Sequence, residues 1–308
     1  MHRQSVLRQL TESIRSHDLY DAKDQCEELI STESEKSDFL VVLKYLLYWL
    51  DVEEDAKLTK DHFEAALKYI HSWKSFEQYA QTLSPLCLYA FYAMQFHAYT
   101  SAIALFQAIY ERGSEEKQQM LLHIGRAYRK IGNYEEAIKN YLNFIKVSSQ
   151  FSASVYAELG DAYAMCGELV RAKVFFREAF SLSPQEIDLQ SLESDLLIKL
   201  VEKVKSIEPD VQLAKEWIPV YAVIWGIFSV KRELRQIEVV QMKQSIVQLE
   251  QEYQEHPEER KFLLPRLINH YIRLIEHYGA SAFPGEHTKE LLLKIQSICP
   301  EIYNQYIQ

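Results

Sequence analysis

The chain has 308 residues, of which 48% are hydrophobic, and a formal charge of −10. The apolar fraction is ample for a core, and the acidic balance argues against general binding to nucleic acid or to an anionic membrane. The charge is uneven: residues 1–82 carry −6, residues 83–186 carry 0, and residues 187–308 carry −4.

Eight glycines and eight prolines are few for this length and favour helices. Twenty tyrosines and fourteen phenylalanines suit the gaps between packed helices. Cys26, Cys87, Cys166 and Cys299 show no paired spacing, so neither a disulfide framework nor a zinc site is expected, and a reducing compartment is the simplest setting. Residues 1–18 mix polar residues into their apolar stripe and lack the continuous apolar stretch of a secretion signal. The expected location is the cytoplasm.

In chain order, Val6, Leu7, Leu10 and Ile14 mark a short amphipathic helix, and Asp18 is placed to cap a second one carrying Ala22, Cys26, Leu29 and Ile30. An acidic connector over 31–38 ends where Ser37 or Asp38 can cap a helix that is apolar on most of its circumference. A further helix carries Phe63, Ala66, Leu67, Ile70 and Trp73, and another runs through Phe76 and Tyr79. Pro85 is expected in the first turn of the next helix, where a missing amide donor is harmless.

From residue 118 a pattern is written twice with a 35-residue offset. Gly125 answers to Gly160, Tyr128 to Tyr163, Gly132 to Gly167, Ala137 to Ala172, and Tyr141 to Phe176. Each copy reads as two helices with a glycine turn between them. Beyond Pro184, Leu192, Leu196, Ile198, Leu200, Val201 and Val204 lie on one amphipathic helix. Residues 217–230 form the most apolar segment, expected as a buried helix too short to span a bilayer. Residues 231–254 read as a charged helix with a broken stripe of Leu234, Ile237, Val240, Val247, Leu249 and Tyr253, lying across a neighbour rather than in a coiled coil. A helix over 262–278, a break over 279–287, and two short helices from near Thr288 and Pro300 complete the chain.

The doubled pattern resembles the tetratricopeptide repeat, a helix-turn-helix unit of about 34 residues. The second copy carries the signature at Tyr156, Leu159, Gly160, Tyr163, Ala172, Phe176, Ala179 and Pro184. The first keeps Leu121, Ile124, Gly125, Tyr128, Ala137 and Tyr141, with Phe144 and Ser149 departing from it. A degenerate third copy places Leu86, Tyr89, Ala90, Ala102 and Phe106 in the same register. The resemblance implies an all-α, right-handed superhelical solenoid of twelve to fourteen helices. Its regions are a divergent N-terminal part over 1–82, repeats over 83–186 (83–117, 118–152 and 153–186), and a capping part over 187–308.

Chemistry is poorly represented. His270 and His277 lie seven apart with Glu276 beside the second, not at zinc-protease spacing, and there is no glycine-rich phosphate loop or nucleophile turn. No cofactor and no metal are expected, and an enzyme assembled from scattered residues such as His270, His277 and Asp161 is the least favoured alternative. The resemblance implies instead a protein or peptide partner held in a concave groove. Positions that repeat packing leaves over are Leu88, Phe91, Leu122, Arg126, Arg129, Lys130, Glu158, Asp161 and Met165. The Lys and Asn positions of the family's carboxylate clamp are mostly replaced, so a different peptide chemistry is expected. Self-assembly through the repeats or the 217–230 segment, giving a homo-oligomer, is the alternative.

Overall fold

Apolar residues at helical spacing become helices throughout. The computed structural model describes residues 2–32, 36–113, 117–148, 152–230, 234–279 and 285–308, and among these there are fifteen α-helices and no strand. The expected connector residues 33–35, Ser149 of the first repeat, residues 231–233 of the charged helix and the break over 280–284 lie outside the described residues, as does the side chain of Val6. The chain divides into two compact units, Met1–Ser149 and Gln150–Gln308, with the boundary inside the 83–186 block.

The first unit contains α1 (His2–Arg15), α2 (Leu19–Thr32), α3 (Ser37–Leu58), α4 (His62–Gln81), α5 (Leu88–Arg112), α6 (Lys117–Lys130) and α7 (Tyr134–Val147). Asp18 accepts from the Asp21 amide at 3.0 Å at the head of α2, as its position predicts. The cap of α3 is Lys36 rather than Ser37 or Asp38. Its apolar surplus is buried through Phe39, Val42, Tyr45, Leu46 and Trp49, leaving Leu40 and Leu47 exposed. The two helices expected over 59–83 are one, α4, because neither Gly nor Pro interrupts the stretch and Asp61 caps it by accepting from the Phe63 and Glu64 amides. Tyr45, Trp49, Trp73, Phe76 and Phe91 then gather into one aromatic cluster, with ring centroids 5.0 Å apart for Tyr45–Phe76 and for Trp73–Phe91.

The degenerate repeat is not a hairpin. Its residues form the single 25-residue helix α5, and Pro85 lies before that helix, not in its first turn. The reason is visible at one position. Gly132 and Gly167 stand at the two real turns with φ of +75° and +79°, where side chains with a Cβ are strained. His97 occupies the corresponding place 35 residues earlier, so the helix continues through it.

His97 is then buried against His17, Trp49 and Tyr69, with the two imidazole centroids 4.7 Å apart. Neither of its ring nitrogens has a hydrogen-bond partner. His17, at φ +66° in the α1–α2 turn, places Nε2 3.0 Å from Thr100 Oγ1 and Nδ1 3.2 Å from Ser101 Oγ. Burial, with minor help from His17 and Lys57, pushes the His97 pKa down to about 3.

The second unit contains α8 (Ala153–Met165), α9 (Leu169–Leu182), α10 (Asp195–Ile207), α11 (Val211–Ile224), α12 (Gln236–Glu255), α13 (Arg260–Gly279), α14 (Glu286–Ile298) and α15 (Pro300–Ile307). α11 packs on α9, α10 and α13, and α12 and α14 both pack on α13. The apolar 217–230 segment is not one helix: α11 ends at Ile224, Gly226 takes φ +68°, and the chain turns so that Phe228 is buried beside Phe180. On α10 the buried face is Leu197, Leu200, Val201 and Val204, while Ile198, expected inside, is exposed. On α12 the stripe that meets the core is Val239, Met242, Ile246 and Leu249. Ile237, Val240 and Val247, expected on that stripe, are exposed instead. Spacings of three and four fit either set, and the packing of α13 selects between them.

Within each hairpin, α6–α7 and α8–α9, the two helices meet at a glycine of the first helix. A Cβ on Gly125 would lie 3.0 Å from the Tyr141 ring. One on Gly160 would lie 3.0 Å from the Phe176 ring and 3.1 Å from the Phe176 backbone nitrogen, which cannot swing aside. Gly160→Ala is therefore expected to lower stability by about 1–3 kcal/mol, as overpacking does, measured by urea unfolding. A second outcome concerns pH. Because the folded pKa of His97 is depressed, its contribution is complete above the unfolded value of about 6.5 and declines as pH falls towards about 3. At pH 5 the loss from this group is about 2 kcal/mol, and His97→Leu should unfold with that part of the pH slope removed.

Candidate functional site

Each sequence-predicted position lies in one of the two units. In the first, Leu88 and Phe91 are on the opening turns of α5, and Leu122, Arg126, Arg129 and Lys130 are on α6. Leu88 is exposed, whereas Phe91 is half-buried and tied to Trp73 and Phe76. α6 packs beside the far half of α5, where His123 stacks on Phe106 at 4.9 Å and Gln107 donates to the Tyr128 hydroxyl at 3.3 Å. Phe106 is fifteen residues beyond Phe91, about 22 Å along a helix rising 1.5 Å per residue. The apolar spot and the basic spot thus stand at opposite ends of α5, because the missing turn straightened the element that would have brought them together.

On α6 itself, Leu122, Arg126 and Lys130 are half-buried on the side away from Leu121, Ile124 and Gly125. Arg129, expected to be left over by packing, is 4% exposed. Burial, with Arg126 as a lesser cause, lowers the His123 pKa, so the imidazole between these helices is neutral near pH 7.

In the second unit the corrections are larger. α8 is buried on nearly every side, which its Ala-rich face and Gly160 permit, and Glu158 and Asp161 go inside with it. Asp161 is 0% exposed; its Oδ1 accepts from the amides of Glu193 at 3.0 Å and Ser194 at 2.8 Å, and its Oδ2 accepts from Glu193 at 3.1 Å. A carboxylate bonded by two amides at the head of α10 holds the chain where it enters that helix, the role of a capping acid supplied from a distance. Of the positions predicted here, Met165 alone is exposed.

The histidines weighed for chemistry are not gathered. His270 places Nδ1 2.8 Å from the Arg266 carbonyl one turn back, so this nitrogen carries the proton and donates. Burial lowers its pKa, with Arg273 adding to the effect. Among the described residues no group of three or more His, Cys, Asp or Glu side chains is assembled that could hold a metal ion. No described helix is long and apolar enough to cross a membrane. The four cysteines are free, Cys26 and Cys87 buried, with burial pushing the Cys26 thiol up to about 12.

Sequence reasoning missed three features. Tyr92, one turn beyond Leu88 and edge-on to Phe91 at 5.7 Å, is 56% exposed and enlarges the apolar spot. Between α9 and α13, Arg177 pairs with Glu276 and Arg273 with Glu178 at 3.0 Å, all four nearly buried. Arg177 also donates to the carbonyls of Phe228 and Val230, fixing the turn after α11. Finally, Glu216 is buried immediately before the most apolar segment of the chain, bonded to Gln185 and Arg266. A lone Glu in the run around Trp217 was the available signal for it.

The tetratricopeptide repeat family model matches residues 118–151 and 153–186, which are the α6–α7 and α8–α9 hairpins. The chain thus carries two tetratricopeptide repeats within a fold that is all-α among the described residues, and repeats of this kind generally mediate protein–protein interaction. Comparison with curated proteins and with solved structures returned no match.

Removing the Asp161 carboxylate should release the entry to α10. In Asp161→Ala, amide hydrogen exchange at Glu193 and Ser194 is expected to accelerate, with a stability loss of about 1–3 kcal/mol for the orphaned buried donors. Unchanged protection at both amides would show that other groups hold this segment.

Proposed function

We propose that the chain is a non-enzymatic adaptor or scaffold that binds a protein or peptide partner, acting in the cytoplasm. The observation that carries this reading is the pair of tetratricopeptide hairpins at 118–151 and 153–186. Two surface features of the first unit supply it with contacts. Leu88 and Tyr92 form an exposed apolar pair backed by the rigid aromatic cluster through Phe91, the kind of anchor that carries binding energy. Leu122, Arg126 and Lys130 on α6 offer an apolar and basic strip suited to an acidic or amphipathic peptide. Met165 is the corresponding exposed position on α8. The buried Arg129, Glu158 and Asp161 act behind these surfaces, as supports. A reducing compartment suits the four free cysteines.

Self-assembly through residues 217–230 has less support, since Ile218, Val220, Ala222 and Phe228 are all spent inside the second unit.

Photoreactive phenylalanine analogues placed at Tyr92, Leu122 and Met165 in the native cell test the proposal. One partner of defined mass is expected at one or more of these positions, and its adduct at position 122 should fall at least about tenfold in Arg126→Glu, Lys130→Glu, the scale of losing charge-assisted contacts. Adducts that form only at exposed positions elsewhere, such as Ile237 on α12, would reject this surface.

A further inference from the structure

The last turn of α9, the short Pro184–Glu186 turn, α11 and α13 enclose a cavity of about 260 Å³ within the second unit. This is slightly below the ~300–1,000 Å³ of sites for drug-sized ligands and suits one extended side chain. Phe180 and Pro219 give it apolar walls, and Ser181, Gln185, Glu216 and Arg266 give it polar ones.

The Glu216 side chain is 0% exposed. Its Oε1 is doubly bonded, accepting from Gln185 Nε2 at 2.7 Å and from Arg266 Nη2 at 2.5 Å. Its Oε2 is buried with no donor at all. Ser181 Oγ, on another wall of the same cavity, is also buried without a partner. An ionised carboxylate is a pure acceptor with room for about four bonds, and a bare buried oxygen is costly. Lys215, next in sequence to Glu216, does not serve it: its Nζ donates to the carbonyl of Ile187 at 2.8 Å and lies 3.4 Å from that of Gln185.

The missing group is therefore a donor, and three features make it a cation. Arg266 balances the charge of Glu216 through one oxygen only. The cavity also receives the C-terminal turn of α9, whose last carbonyls lack intrahelical donors and carry the negative end of the helix dipole. His270 adds no positive charge, because burial lowers its pKa. An anion would face the carboxylate and those carbonyls together. A compact ammonium brings three donors to a cavity whose lining includes the unpartnered Glu216 Oε2 and Ser181 Oγ, and Phe180 and Pro219 offer apolar walls to its methylene stem.

We infer that this cavity binds a primary ammonium group, with Glu216 as counter-ion and Ser181 as second acceptor. The site is separate from the surfaces of the first unit and stands independently of the adaptor reading. A lysine side chain of a peptide and a free alkylamine share this chemistry.

The test is a titration of the full-length chain followed by amide-resolved NMR, with N-acetyl-lysine-methylamide and n-butylammonium as probes and N-acetyl-norleucine-methylamide and butanol as neutral controls. Saturable shifts of the Gln185 side-chain amide and of the backbone amides at 181, 182, 183 and 185 are expected with the ammonium probes alone. Tighter binding of the lysine derivative assigns a peptide source; equal or tighter binding of butylammonium assigns a free amine. Glu216→Gln, which keeps an acceptor for Arg266 but presents an amide donor in place of Oε2, should weaken both by at least about tenfold. Leu182→Trp, at the mouth of the cavity and outside the ion pair, should abolish the shifts while leaving the circular dichroism spectrum unchanged. Shifts produced equally by the neutral controls, retained in folded Leu182→Trp, or absent with every probe at millimolar concentration would overturn the assignment and leave the cavity to water.

Discussion

Whether a helix in this protein turns back on itself is decided at single residues. A repeat hairpin needs a position without a Cβ where its helices touch, and a position that accepts the left-handed backbone where they reverse. Gly125 with Gly132, and Gly160 with Gly167, meet both demands. Thirty-five residues before the first pair stand Ala90 and His97, which meet neither. The helix runs on for 25 residues as α5, and the first unit is assembled around that strut: α1, α3, α4 and α6 all pack against it. The aromatic cluster and the buried imidazole of His97 are both products of the same uninterrupted helix.

Much of this was legible in the sequence because it is local. The 35-residue offset, the Asp18 cap and most helices of the C-terminal unit, though not the one expected over 217–230, follow from spacing and from residue chemistry within a turn or two. The α5 error has the same origin seen from the other side: apolar register survived in the degenerate copy after the turn residue had gone, and register does not report a turn. On α12 two stripes competed, and only the packing of α13 could choose Ile246 over Val247.

The candidate site was less legible than the fold. Arg129, Glu158 and Asp161 were assigned to a surface because signature positions account for hairpin packing, yet a helix inside a chain is also covered by what comes after it. Asp161 illustrates this, since its partners are amides 32 and 33 residues away. Buried ions in the second unit follow the same rule. Arg177 meets Glu276 across 99 residues and Glu216 meets Arg266 across 50. Such pairs give the packing of α9, α11 and α13 a single register, since removing one member would strand a charge in the interior.

The boundary between the two compact units separates the two hairpins. In an ordinary repeat array each module is covered mainly by its neighbours of the same kind. Here α6 leans on α5, and α9 leans on α11, helices without the repeat signature. The repeat motif and the compact unit are consequently different objects in this chain. A fragment trimmed to the edges of the repeat motif would strip each hairpin of its own unit's cover, whereas the sequence outside the motif, which carries no family signature, is what makes each hairpin part of a foldable body.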